Sequence, residues 1–168
     1  MAIEWNVYGP EPVGRLALIE ASGRIAGRLV GEGSLDFALS LAAAGRAEDG
    51  AEFDGEVCAV FGEAVALVDV YAGRMEDEGV ADERDLPLAG TVTARRTVFS
   101  AALGLAVALA WLEAGGGQLD GPGLDRAIRR ADLDAVLGAV SDPTATGIAA
   151  VERLGRRVVG AGAAMPFS

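Results

Sequence analysis

AEFDGEVCAVFGEAVALVDVYAGRMEDE, residues 51–78, is the stretch that sorts this chain into helix or sheet. Val57, Phe61, Ala64, Val68, Tyr71 and Met75 follow one another at steps of four and three. At 3.6 residues per turn such steps return to one side of a helix, so the apolar residues form a stripe. Glu52, Glu56 and Glu63 fall beside it. The spacing predicts an amphipathic helix over 51–78. Opposing strand signals are poor: few β-branched runs alternate, and no Asn-Gly or Asp-Gly turn separates two such runs.

Upstream, residues 1–12 read as an extended lead-in closed by Pro10 and Pro12. A helix over 13–30 follows. Glu20, Arg24 and Arg28 recur every four residues and make a narrow polar stripe. Leu16, Ile19, Ala26 and Val30 flank it on one side, Leu18, Ile25 and Leu29 on the other. A helix with two apolar flanks is expected to be covered on both. Ser34 as N-cap and Gly45 as C-terminal stop bound a shorter second helix.

Downstream, 79–90 is an acidic loop carrying the breakers Gly79 and Pro87. A helix over 91–114 comes next and ends at the Gly115–Gly117 triplet. Its residues Thr97–Leu112 hold no charge over 16 positions, and five of them are alanine. Such a run could be a membrane span, a buried helix or the wall of a ligand pocket. A span takes about 20 apolar residues, and Arg95, Arg96 and Glu113 bound this one closely. It is read as the central helix of a bundle, touched on all sides. Ser100, Gly104 and Ala108 would let another helix approach closely. A helix over 124–140 with a break near Ala131 follows. A last helix begins after Pro143 with Ile148, Val151, Leu154 and Val158 inward, and 160–168 is a tail.

These elements predict an all-α fold: one helical domain over 1–168, a compact bundle of five to seven helices around the apolar helix at 91–114. Its 168 residues suffice for a core without disulfides or metals.

The charge is one-sided, with 25 acids against 14 bases. Every base is arginine. Abundant Ala, Gly, Arg and Val without lysine suggests a GC-rich bacterial genome. Residues 1–90 hold 18 acids and 6 arginines, and residues 91–168 hold 7 acids and 8 arginines. An acidic front and a near-neutral back could pair head to tail in a homo-oligomer. The lone Cys58 favours a reducing compartment, and Met1–Pro12 has neither the basic nor the apolar region of a signal peptide, so a cytoplasmic location is expected.

The composition also excludes chemistry. Without histidine there is no Ser-His-Asp or Cys-His site. Without lysine there is no Schiff base and no phosphate-loop lysine. The usual zinc, haem and iron–sulfur ligand sets are missing, so no metal and no cofactor is expected. Carboxylates, arginines, hydroxyls and tyrosines remain. A cofactor-free acid–base site would use Glu20, Glu56 or Glu63 for proton transfer. Arg24 and Arg28 would hold an anionic or carbonyl oxygen, with Tyr71, Phe99 and Trp111 lining the ligand. Such an enzyme needs a cavity holding a carboxylate and an arginine together.

Three functions follow as expectations. The first is a helical binding or assembly module that associates with itself, a protein partner or a small apolar molecule. The second is a small cofactor-free cyclase, isomerase or lyase using those carboxylates and arginines. The third is a helix-turn-helix-like regulator over 124–157, with Arg126, Arg129, Arg130, Arg153, Arg156 and Arg157 reaching phosphates. A net charge of −11 opposes binding to a polyanion.

Overall fold

The computed structural model describes residues 2–9, 13–30, 39–44, 53–61, 64–72, 88–141, 144–145 and 147–164. The elements run in the order β1 (Ala2–Tyr8), α1 (Arg15–Val30), β2 (Leu39–Ala44), β3 (Phe53–Phe61), β4 (Ala64–Ala72), β5 (Leu88–Arg95), α2 (Val98–Gly115), β6 (Gln118–Asp120), β7 (Ile128–Arg129), α3 (Leu133–Val140) and α4 (Gly147–Ala164). The strands form one antiparallel sheet in the order β2-β3-β4-β5-β1-β6-β7. The fold is therefore mixed α/β, and the all-α bundle is overturned. The helical binding or assembly module built on it falls with it.

The helix expected over 51–78 is a β-hairpin. Strands β3 and β4 pair from Phe53↔Ala72 to Phe61↔Ala64. Gly55, Val57 and Ala59 of β3 and Ala66, Val68 and Val70 of β4 are buried, while Glu56, Val60, Val65, Asp69 and Tyr71 between them are exposed. That is period two, the pleat of a strand. The lead-in is extended as expected, but β1 lies inside the sheet between β5 and β6. Its Ile3, Trp5 and Val7 face the core. Residues 88–95, divided between the expected acidic loop and helix, form β5, so that helix starts at Val98. Where a second helix was expected, β2 occupies 39–44. Its proposed caps Ser34 and Gly45 lie outside the described residues, as do 79–87 of the acidic loop.

Helix α2 answers the question raised by the uncharged run. By length and composition it could cross a membrane, with mean hydropathy 1.7 over 18 residues. Every residue from Ser100 to Leu112 is buried inside the protein. On one side α2 packs against β1, β4, β5 and β6, and elsewhere against α1, α3 and α4. A helix apolar all round has its surface covered here by other parts of the chain. Gly104 sets one contact: a Cβ there would overlap the Trp5 ring and meet Ala94 Cβ at 3.0 Å. The small-residue spacing on α2 thus admits the Trp5 indole of the sheet at Gly104, where the sequence suggested another helix. Trp5 Nε1 donates to the Pro122 carbonyl at 2.9 Å, so its one polar atom is satisfied. Past the last β4–β5 pair, Val68↔Ala94, the Leu67 amide donates to Ser100 Oγ of α2 at 3.1 Å.

The glycine triplet ends α2 as expected. Gly116 has φ +67° and its amide donates to the Leu112 carbonyl. Gly117, at φ +84°, passes so close to Tyr8 that a Cβ would strike the Tyr8 carbonyl oxygen. The expected helix over 124–140 is broken more deeply than foreseen, into β7, a 3-10 turn at Arg130–Asp132 and α3.

Candidate functional site

Among the described residues, those singled out from the sequence lie on separate elements and surfaces. Glu20, Arg24 and Arg28 lie exposed along α1. Glu56 is exposed on β3 and Tyr71 on β4, on the face of the sheet that points away from α2. Trp111 is buried in α2 with its ring against Gly90 of β5, and Phe99 is half-buried at the start of α2. Glu63 lies outside the described residues.

What α1 carries is paired with other helices. Arg24 Nε and Nη2 donate to Glu113 Oε1 of α2 at 3.2 and 2.5 Å. Arg28 Nη2 donates to Asp134 Oδ1 of α3 at 3.0 Å. The side chains are 59% and 27% exposed in the first pair and 45% and 88% in the second. Ion pairs this open to water contribute up to about 1 kcal/mol each. They fasten α1 to α2 and α3, and the carboxylates they bring to the arginines are ones that sequence spacing did not select.

The buried side of α1 is closely packed. Between Ala26, Leu29, Ala102, Leu103, Ala106, Val151 and Leu154 a space of about 10 Å³ remains. A single water needs roughly 10–15 Å³, so α2 walls no ligand pocket there.

A larger opening lies between α3 and α4. It is a cleft of about 310 Å³ lined by Ala139, Val140, Ser141, Ala150, Arg153, Leu154 and Arg157, at the lower end of the range that small ligands use. Arg153 and Arg157 are four residues apart on α4, hence on one side of it, because Leu154, Ala150 and Val158 must turn inward. Arg153 Nη1 donates to Thr144 Oγ1 at 3.0 Å, and Arg157 Nη1 to the Ala139 carbonyl at 3.0 Å. These bonds hold the two guanidinium groups at the rim above the apolar floor of Val140, Ala150 and Leu154. The bond to Ala139 occupies one of the five N–H donors that the Arg157 guanidinium carries. Among the described residues that line it, the cleft contains an arginine pair and no carboxylate.

Arg126, Arg130 and Arg156 of the helix-turn-helix reading are engaged within the protein. Arg126 Nη2 pairs with Asp132 Oδ1 at 3.1 Å and Arg156 Nη2 with Glu152 Oε1 at 2.7 Å. Arg130 Nε reaches the Leu112 carbonyl at the end of α2, 3.5 Å away, where a helix terminus favours positive charge. The Arg129 backbone amide donates to Asp132 Oδ2 at 3.0 Å. That bond and the Arg126 side chain hold the Asp132 carboxyl below its ordinary range. Strand β7 and the 3-10 turn occupy 128–132, where two consecutive helices of a DNA reader would need continuous helix.

Among the described residues, no three Cys, Asp or Glu side chains converge as metal ligands do. No family model, characterised protein or solved structure matches the chain.

Proposed function

We propose that the chain is a small enzyme that works without a bound cofactor on an anionic or carbonyl-bearing small molecule, held in the α3–α4 cleft. The observation that carries this reading is the placing of Arg153 and Arg157 side by side over an apolar floor in a 310 Å³ cleft. Guanidinium groups present N–H donors in a planar fork that fits carboxylate, phosphate and developing enolate oxygens. The apolar floor takes the carbon skeleton, and the Ser141 hydroxyl is a further hydrogen-bonding group at the wall. Donors fixed beforehand around an oxygen lower the barrier to reactions in which that oxygen gains charge. Isomerisation through an enolate and elimination beside a carbonyl are of this kind. Proton transfer in this reading falls to water or to the substrate's own groups.

The test has two parts. Small keto acids are offered to the protein in D2O and proton NMR follows deuterium entering beside the carbonyl. Binding of the same acids is followed through the amides of 139–157. Saturable binding with a Kd on the order of 1 mM, weakened about tenfold or more by Arg157→Ala, supports the cleft as the site. Faster deuterium uptake than in buffer, lost in the same variant, supports the enzyme. Acids that neither bind at the cleft nor exchange would refute the reading.

A further inference from the structure

We propose that the outward face of the sheet docks a cationic, amphipathic polypeptide segment of another protein. The inference is independent of the α3–α4 cleft. Strand register puts Glu56 opposite Asp69, Asp69 opposite Thr93 and Thr93 opposite Glu4, so three carboxylates share one row across four strands. All three are exposed. Glu56 and Asp69 face each other directly, an arrangement that destabilises a sheet. The ion pairs Arg24–Glu113, Arg28–Asp134, Arg126–Asp132 and Arg156–Glu152 lie instead among the helices and the segment before α3. Arg95 is the single cation among the described residues of β1, β3, β4 and β5.

The second observation concerns apolar surface on the same face. Val60, Val65 and Tyr71 are 41%, 58% and 38% exposed. Val60 pairs with Val65, and the next row pairs half-buried Cys58 with half-buried Leu67. This apolar end adjoins the acidic row. A patch of apolar side chains rimmed by charge marks an interaction surface.

Charge selects the occupant. Nucleic acid and anionic lipid are repelled by the row. A second copy docking through the same face would bring like charge to like charge. A polypeptide with Lys or Arg beside apolar residues matches both halves: its cations meet Glu4, Glu56 and Asp69, and its apolar side chains cover Val60, Val65 and Leu67.

The test uses the full chain, 15N-labelled, and two synthetic peptides of equal length and charge. One carries Lys and Leu on opposite sides, and the other replaces Leu by Ser. The Lys/Leu peptide is expected to shift amides of β3 and β4 around Val60, Val65, Leu67 and Asp69 while sparing α1 and α4. Val65→Ser and Asp69→Lys should each weaken it about tenfold, the first with an unchanged melting temperature and the second with one slightly raised, because a lysine opposite Glu56 relieves the like-charge pair. The Lys/Ser peptide should bind at least about tenfold more weakly. Equal binding of both peptides, or shifts spread over both faces, would reduce the effect to undirected charge attraction and overturn the proposal. So would a dimer, seen by light scattering, that Val65→Ser dissolves, because the face would then belong to a second copy.

Discussion

Val57 and Glu56 are neighbours on one strand, yet they meet opposite surroundings. Val57 belongs to the face under the helices with Ile3, Trp5, Val68, Val70, Val92 and Ala94, all buried. Glu56 belongs to the other face, where Val60 and Val65 stand exposed beside carboxylates. The inner face follows one rule, apolar and closely packed. The outer face mixes apolar and acidic groups and sets Glu56 directly opposite Asp69. Stability is thus concentrated on the inner face, and the outer face is where substitution should be tolerated.

The largest effect should come from the inner face. Trp5→Ala removes a fully buried indole wedged against Gly104. It should cost about 3–5 kcal/mol, read as a fall in the urea midpoint or as failure to fold. An effect below about 1 kcal/mol would erase the contrast between the faces. On the outer face, Glu56→Lys should raise stability by about 0.2–1 kcal/mol, because it sets opposite charges across the strands at the Asp69 position. Thermal melts at low and high salt check this, and the gain should shrink with salt.

Glu113→Gln removes the partner of Arg24 and should lower stability by up to about 1 kcal/mol, because the pair is partly solvated. A loss of several kcal/mol would mean that this pair is structurally central. Asp132 sharpens the comparison through pH. Its carboxyl is held below the ordinary aspartate value in the folded state by the Arg129 amide and the Arg126 guanidinium, so its charged form favours folding. That contribution is full above the unfolded value and disappears as pH falls through the folded one. Urea titrations should therefore show Asp132→Asn less stable than the parent at pH 7, with the gap closing below about pH 3.8.

The contrast between faces also explains how the sequence misleads. A half-exposed strand is recognised by polar residues at alternate positions. In β3 and β4 the outward positions include Cys58, Val60, Val65 and Leu67, so alternation is blurred and a step of three and four fits as well. What remained readable was whatever depends on neighbours in the chain. Helix α1 was expected at 13–30 and runs from Arg15 to Val30. The buried course of the uncharged run and its glycine stop were also legible, as was the inward stripe of Val151, Leu154 and Val158 on α4. Ile148 of that stripe is exposed. In β1 the alternation of Ile3, Trp5 and Val7 was present, but the prolines after it suggested a lead-in.

The site was less legible. The stripe of Glu20, Arg24 and Arg28 is real, but its partners Glu113 and Asp134 come from helices 89 and 106 residues away in sequence. No local spacing encodes those meetings. The sequence marks Arg153 and Arg157 as possible contacts to phosphates or to an acidic partner surface, not as the rim of a cleft. Their spacing of four was visible, whereas the cleft above α3 is a product of tertiary packing.

Cross-strand nuclear Overhauser effects test the central claim most directly, since helix and sheet give different proton contacts over 51–78. The fold described here predicts strong contacts between Val57 and Val68, Glu56 and Asp69, and Trp5 and Val92, across the paired strands. A continuous series of contacts between residues three apart through 51–78, with those cross-strand contacts missing, would restore the helix and contradict the sheet.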